Sequence, residues 1–336
     1  MTHINQQIVL KSRPEGWVTP DNFELVEGRI PEIGAGEFLV RNLYLSVDPY
    51  MRSRMNDAKS YVPPFQIGEV LEAGVVGEVV ASQNDKFKEG DVVVGMFGWE
   101  NYSKSTGQDV MVVERGAVPL SYYLGVLGMP GMTAYAGLVG VANLQPGETV
   151  FVSAASGAVG SVVGQLAKIM GCTVVGCAGS DDKVTYLVNE LGFDRAFNYK
   201  TCGNIAKTIA EMCPKGIDVN FENVGGEIME AALWNMRNYG RIALCGMIAN
   251  YNDKEMSPGP RGLGIMIQRR LKMQGFIVFD NPALNMEFVG KAAQWLKEGK
   301  LKYRETVTEG LENAPAAFIG LLKGENFGKQ IVKIVD

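Results

Sequence analysis

Apolar and polar residues alternate in short runs through the first third of the chain, at Phe38 to Leu45, Gly74 to Ala81 and Asp91 to Met96, with Gly, Pro and Asp between the runs. A period of two predicts half-buried strands, so the chain to about Glu114 reads as an irregular β region. From Thr149 the pattern changes. Apolar runs at Val150 to Ser153, Thr173 to Ala178, Arg195 to Asn198, Asp218 to Glu222, Arg241 to Cys245 and Met273 to Val278 predict six strands. Between them Val159, Val162, Val163, Leu166 and Met170 recur at helical spacing, and Lys183 to Leu191 is a second helical stretch stopped by Gly192. Strands alternating with helices predict βαβ units and a doubly wound parallel sheet buried on both faces. Beyond Leu301 come a short strand, a helix from Ala314 to Leu322 and an alternating run from Gln330 to Val335. That tail is expected to return to the first domain, and the boundary between the domains is expected near Ser121.

Composition narrows the function classes. A chain of 336 residues is long for one core and predicts two domains. A net charge of -5 offers no dominant basic surface, so nucleic acid is not an expected partner. Met1 to Arg13 lacks the apolar stretch of a signal peptide, and Gly, Pro or charge interrupts every run before the roughly 20 apolar residues a bilayer demands. A cytoplasmic protein without membrane attachment is therefore expected. The five cysteines, Cys172, Cys177, Cys202, Cys213 and Cys245, form no C-x-x-C pair, and the one histidine is His3. Neither a disulfide framework nor a zinc site is expected from that set.

The segment TVFVSAASGAVGSVVGQLAK, Thr149 to Lys168, runs a strand into a small-residue turn and then an amphipathic helix. In a dinucleotide fold three small positions allow the tight turn, the approach of backbone to pyrophosphate, and close packing of helix on strand. Here these are Ala155, Gly157 and Gly160, and the Ala155 methyl is expected to push the turn slightly away from the phosphates. Gly157, Ala158, Val159 and Gly160 would hold the diphosphate at the helix N-terminus. An NAD-specific fold ends the next strand with a carboxylate for the ribose 2′-hydroxyl, whereas this chain has Gly179 and Ser180. Asp181 and Asp182 read as the dipole-matched first turn of a helix. Lys183 can neutralise a 2′-phosphate and Ser180 can donate to it, which predicts NADP(H). A solvated surface lysine is the plainer reading of Lys183.

The stretches DPYMR from Asp48, GMPGMTAY from Gly128, VSAASGAVGSVVGQLAK from Val152, FNYKT from Phe197, FENVGGE from Phe221, GRIALCGMIANYN from Gly240 and KGENFGK from Lys323 resemble the zinc-independent medium-chain dehydrogenase/reductases. The resemblance is to the group of prostaglandin reductase (leukotriene B4 dehydrogenase), alkenal double-bond reductase and curcumin reductase, and it runs along nearly the whole chain. It implies an α/β fold: a GroES-like β domain for substrate, residues 1–121 and 303–336, and a Rossmann doubly wound NADP-binding domain, residues 122–302. Zinc enzymes of that fold would carry a histidine where this chain has Gly68, before Glu69. The resemblance also implies Lys183 and Tyr199 at the 2′-phosphate, Asn223 at the ribose, and Cys245 and Gly246 along the groove. Phe276, Ile277 and Val278 would meet the nicotinamide through backbone groups, and Asn326 would close over the cofactor. Relatives further imply a homodimer formed by edge-strand pairing.

The implied activity is NADPH-dependent reduction of the C=C bond of α,β-unsaturated ketones or aldehydes. Hydride reaches the β-carbon, and the enolate oxygen is held by Tyr251 of the ANYN stretch and by a ribose hydroxyl. Whether Tyr251 or water protonates the α-carbon stays open. Tyr50, Tyr61 and Met129 are expected to border the substrate, with Met266 and Ile267 adding apolar wall, although packing between domains would account for the same residues. A quinone or carbonyl reductase on the same scaffold, and a noncatalytic NADPH-binding adaptor, are the alternatives.

Overall fold

A computed structural model describes residues 4–116, 118–255 and 257–334, so His3 and Val335 lie outside the described residues. The strands in chain order are β1 (Ile4–Leu10), β2 (Phe23–Arg29), β3 (Phe38–Ser46), β4 (Glu72–Ser82), β5 (Val92–Gly98), β6 (Tyr102–Ser105), β7 (Met111–Val113), β8 (Thr149–Val152), β9 (Thr173–Ala178), β10 (Arg195–Asn198), β11 (Ile217–Glu222), β12 (Met236–Leu244), β13 (Lys272–Gly275), β14 (Glu305–Glu309) and β15 (Lys329–Lys333). The helices are α1 (Met51–Arg54), α2 (Met129–Tyr135), α3 (Gly160–Ile169), α4 (Asp181–Asn189), α5 (Ile205–Met212), α6 (Gly226–Asn235), α7 (Gly264–Arg269), α8 (Pro282–Lys297) and α9 (Ala314–Lys323). The chain divides into two compact units, Met1–Gly125 with Glu305–Asp336, and Val126–Arg304.

In the first unit a mainly antiparallel sheet runs β14-β15-β3-β4-β5-β7, with β6 paired to β3, and β1 and β2 form a separate ribbon. The C-terminal strand β15 enters this sheet through its antiparallel pairing with β3. Its Lys329 is fully buried, donating to the Val47 and Gln330 carbonyls at 2.9 and 2.8 Å and lying 3.3 Å from an Asp48 carboxylate oxygen. Burial holds that ammonium below the usual lysine range, opposed by Asp48. The polar anchor fixes the turn that precedes Tyr50.

In the second unit all six strands are parallel, in the order β10-β9-β8-β11-β12-β13. The chain winds one way from β8 through β9 to β10, then crosses to β11 on the other side of β8, which makes this a Rossmann sheet with its switch point between β8 and β11. One sheet face buries Phe151, Val175, Cys177, Phe197 and Ile242 against Ile209 of α5 and Ile228, Ala232 and Leu233 of α6. Helix α3 packs on β8 and β9. The Phe193 ring fits there because two glycines leave room: a Cβ on Gly164 would lie 1.9 Å from the ring and one on Gly176 2.8 Å from it.

Two strand boundaries differ from the sequence pattern by three residues or more. β12 begins at Met236 rather than Arg241, because Met236 pairs with Ile217 and the register then shifts before Arg241 pairs with Val219. The intervening Tyr239 lies at a left-handed φ of 66. β13 ends at Gly275 rather than Val278, because the Asp280 carboxylate accepts from the Ile277 N–H at 3.1 Å and folds residues 278–280 into a 3-10 turn ahead of Pro282.

Candidate active site

The turn after β8 is built on Ala154, whose φ of 47 is left-handed. That turn sets the Ala155 N–H to donate to the Cys177 carbonyl at 3.0 Å and the Gly157 N–H to that of Ala154 at 3.0 Å. A Cβ on Gly160 would come within 2.4 Å of the Ala154 carbonyl oxygen and 2.8 Å of the Ala155 Cα, so only glycine lets α3 start this close to the strand. The Ser161 N–H is bonded to the Gly157 carbonyl, and the N–H groups of Ala158, Val159 and Gly160 fall just ahead, where a helix offers uncompensated donors. The Ala155 methyl is fully buried and lies over Gly176 of β9, where an added Cβ would meet it at 2.7 Å.

At the end of β9 the sequence places no side chain at Gly179, and the structure shows what fills that space. A Cβ on Gly179 would lie 3.2 Å from the Tyr199 hydroxyl, 3.3 Å from the Lys200 Cε and 3.5 Å from its Nζ. Ser180 caps α4, its hydroxyl oxygen accepting from the Lys183 N–H at 3.4 Å, which leaves the hydroxyl proton free to donate. Asp181 and Asp182 occupy the first turn of α4, where they complement the helix dipole. Burial, and then the nearby Lys200 ammonium, hold Lys183 below the usual lysine range. The structure thus brings Ser180, Lys183 and Tyr199 together and adds Lys200, which sequence reasoning passed over although it stands within FNYKT. These donors and cations fit a phosphate at this end, and the glycine leaves no place for the carboxylate an NAD site would use.

At the other end, the turns after β11 and β12 are knitted together. The Cys245 and Gly246 N–H groups donate to the Glu222 carbonyl, the Ile248 N–H to that of Asn223 and the Ala249 N–H to that of Val224. Asn223 donates its side-chain amide to the Ser153 carbonyl at 2.8 Å. The Tyr251 hydroxyl oxygen accepts from the Met247 N–H at 3.4 Å, and a Cβ on Gly246 would lie 3.3 Å both from that hydroxyl and from the Asn223 carbonyl oxygen. Asn223, Gly246 and Tyr251 therefore converge. Burial raises the Tyr251 pKa, with Cys245 adding to it, so the phenol keeps its proton. Burial, followed by the Glu222 carboxylate, pushes the Cys245 thiol up to about 12, which makes it an inert wall rather than a nucleophile.

The remaining expected residues lie as follows. The Phe276 ring packs edge-on against Phe221, with centroids 6.2 Å apart, leaving its backbone as the part available to a ligand. The Ile277 N–H is engaged with Asp280, and the Val278 carbonyl accepts from Asn285 at 2.9 Å. Met129 opens α2, its carbonyl held by Thr133 at 2.7 Å. In the other unit Tyr50 is half-buried beside Asp48, Arg54 and Tyr61, and burial and then Asp48 raise its pKa. Tyr61 is exposed, and Asn326 donates to the Gly328 carbonyl at 2.7 Å within its own loop. Among the described residues no group of three or more His, Cys, Asp or Glu could hold a metal ion, and no helix is long and apolar enough to cross a membrane.

Residues 6–113 match the family model described as the N-terminal domain of oxidoreductase, and residues 158–298 that described as zinc-binding dehydrogenase. The chain is 44% identical to the NADPH-dependent curcumin reductase of Escherichia coli, covering 98% of this chain and 97% of that one. It is 47% identical to the NADP-dependent 2-alkenal reductase of Nicotiana tabacum, with coverage of 98% and 97%. The crystal structure of CurA in complex with NADPH from Vibrio vulnificus superposes with a TM-score of 0.94 at 44% identity, covering 98% of this chain and 99% of the other. The chain belongs to the zinc-independent group of the medium-chain dehydrogenase/reductases that includes the curcumin, 2-alkenal and prostaglandin reductases.

Proposed function

We propose that this protein reduces the carbon–carbon double bond of α,β-unsaturated ketones and aldehydes with NADPH, and that it does so in the cytoplasm. The observation that carries the reading is a pair of chemically distinct clusters beyond the ends of the parallel strands. One gathers Lys183, Lys200, Tyr199 and Ser180 near Gly179, and the other sets the protonated Tyr251 hydroxyl over Gly246 beside Asn223. The enzyme is an NADP-dependent oxidoreductase, and its relatives include enzymes named for curcumin, 2-alkenals and (+)-pulegone.

In this reading Gly157 shapes the turn and the N–H groups of Ala158, Val159 and Gly160 hold the diphosphate, Lys183, Lys200 and Tyr199 bind the 2′-phosphate, and Asn223 meets the ribose. Cys245 and Gly246 wall the groove, and the backbone of Phe276, Ile277 and Val278 faces the nicotinamide. Bound NADPH supplies the hydride for the β-carbon and a ribose hydroxyl as a second donor. Negative charge then grows on the carbonyl oxygen of the substrate. Tyr251, which burial keeps neutral, donates to that oxygen, and a preorganised donor of this kind lowers a barrier by about 3 kcal/mol.

The test is an NADPH-oxidation screen over enals, enones and quinones with the products identified. A saturated carbonyl compound is expected, whereas an alcohol or a hydroquinone would move the assignment to carbonyl or quinone reduction. Tyr251→Phe is expected to lower kcat roughly a hundredfold while NADPH affinity stays unchanged. Undiminished turnover by that variant would remove Tyr251 from the chemistry.

A further inference from the structure

The cofactor reading leaves the buried carboxylate of Glu222 without a task. Glu222 ends β11, immediately before Asn223, and is fully buried. Its Oε1 accepts from the Ser153 hydroxyl at 2.7 Å, the Val224 N–H at 2.7 Å and the Gly225 N–H at 2.9 Å, and its Oε2 accepts from the Asn220 amide at 3.1 Å. These partners are neutral donors. Withdrawing a carboxylate from water onto neutral donors costs several kcal/mol before the hydrogen bonds offset it, and an apolar residue would pack the position at no such cost. A sequence that keeps a carboxylate here keeps it for what the carboxylate holds.

What it holds spans the switch point. Ser153 follows β8 and Glu222 ends β11, so the hydroxyl–carboxylate bond crosses the crevice where ligands of doubly wound sheets bind. The single Ser153 hydroxyl proton goes to Glu222, which leaves that oxygen to accept from the Asn223 N–H at 2.8 Å, while the Asn223 side chain donates to the Ser153 carbonyl. On its other side Glu222 pins the first N–H groups of the Gly225-Gly226 turn, where both glycines have positive φ, 79 and 52. A Cβ on Gly225 would lie 3.1 Å from Asn250 Oδ1 and 3.2 Å from Met247 Cε, so the same turn abuts the segment that carries Tyr251.

We propose that Glu222 is the positioning residue of the nucleotide groove: by clasping β8 to β11 through Ser153 it fixes Asn223 and the Gly225 turn in the geometry that binds NADPH. The inference rests on the cofactor assignment above, and its test reads nucleotide binding without any enone. Fluorescence titration of NADPH is expected to give a Kd raised about thirty- to a hundredfold in Glu222→Ala. In Glu222→Gln, whose amide oxygen can still accept at Oε1, the rise is about three- to tenfold. Ser153→Ala, which keeps the carboxylate and breaks the clasp, should raise Kd about tenfold, and it stands in for Glu222→Ala if that variant does not fold. In kinetics the NADPH KM should follow Kd while kcat changes less. If Glu222 acts through Asn223, the cost of Glu222→Gln should shrink in an Asn223→Ala background, since coupled neighbours are not additive. Folded Glu222 or Ser153 variants that melt earlier yet bind NADPH within twofold of the parent would overturn the proposal, as would additive losses in the double-mutant cycle. A parent that binds NADPH tightly but reduces no enone would instead sink the enone-reductase reading and leave this one standing.

Discussion

Lys183 keeps its ammonium against two opposing influences, burial first and the neighbouring Lys200 second, and both favour loss of the proton. A 2′-phosphate, a dianion above about pH 7, would reverse that balance by pairing with both lysines. The sign follows. Below the lowered pKa Lys183 is charged and NADPH binds fully, and as pH rises through that pKa the phosphate end loses a charge and the NADPH Kd increases. NADH lacks the phosphate, so its Kd should stay flat and the preference for NADPH should narrow with rising pH. Lys200→Ala is expected to weaken NADPH binding about tenfold and to move the decline to higher pH, because one cause of the depression is gone. Titrations of both nucleotides between neutral and alkaline pH check this, and parallel curves for NADH and NADPH would show that Lys183 does not meet the phosphate. In the sequence Lys183 stands out through the missing carboxylate at Gly179, and its place in the first turn of α4 was legible. Lys200 was not, because only the fold brings the residues after β10 over the end of β9.

The helix α3 was legible from the spacing of Val162, Val163 and Leu166, all of which are buried. The reason for its glycines was not, since periodicity marks which face is buried and says nothing of what lies across from it. Gly164 is an example: in an isolated helix Gly→Ala would be worth up to about 1 kcal/mol, yet here the new methyl would meet the Phe193 ring at 1.9 Å. Overpacking of a dense core costs about 1–3 kcal/mol, so Gly164→Ala is a net loss of up to about 2 kcal/mol, read as a lower urea midpoint at constant m-value. Phe193→Leu in the same chain should recover part of that loss. A higher midpoint for Gly164→Ala alone would mean that the ring is free to move aside. The strand ends show the same limit: Arg241 and Val278 were read from local chemistry, whereas pairing of Met236 with Ile217 and capture of the Ile277 N–H by Asp280 moved the observed boundaries.

At the scale of the whole molecule, a parallel sheet of six strands was foreseeable from strand–helix alternation. The joining of distant turns was not, because the bonds from Ser153 to Glu222 and Asn223 cross from one half of the sheet to the other. The same topology leaves two end strands, β10 and β13. Residues of β13 are exposed or half-exposed on both faces, unlike the fully buried β11, and Phe279 and Met286 in the segment that follows are 67% and 78% exposed. An open end strand beside exposed apolar side chains is a site for pairing with another chain, and a two-fold axis lets the same strand serve both copies. A homodimer paired through β13 is therefore expected by size-exclusion chromatography with light scattering. Charging the adjoining surface with Phe279→Lys and Met286→Lys should convert it to monomer while NADPH binding persists, because none of the nucleotide-binding groups lies on those side chains. A parent that is monomeric at micromolar concentration, or a doubly substituted chain that stays dimeric, would place the contact elsewhere or remove it.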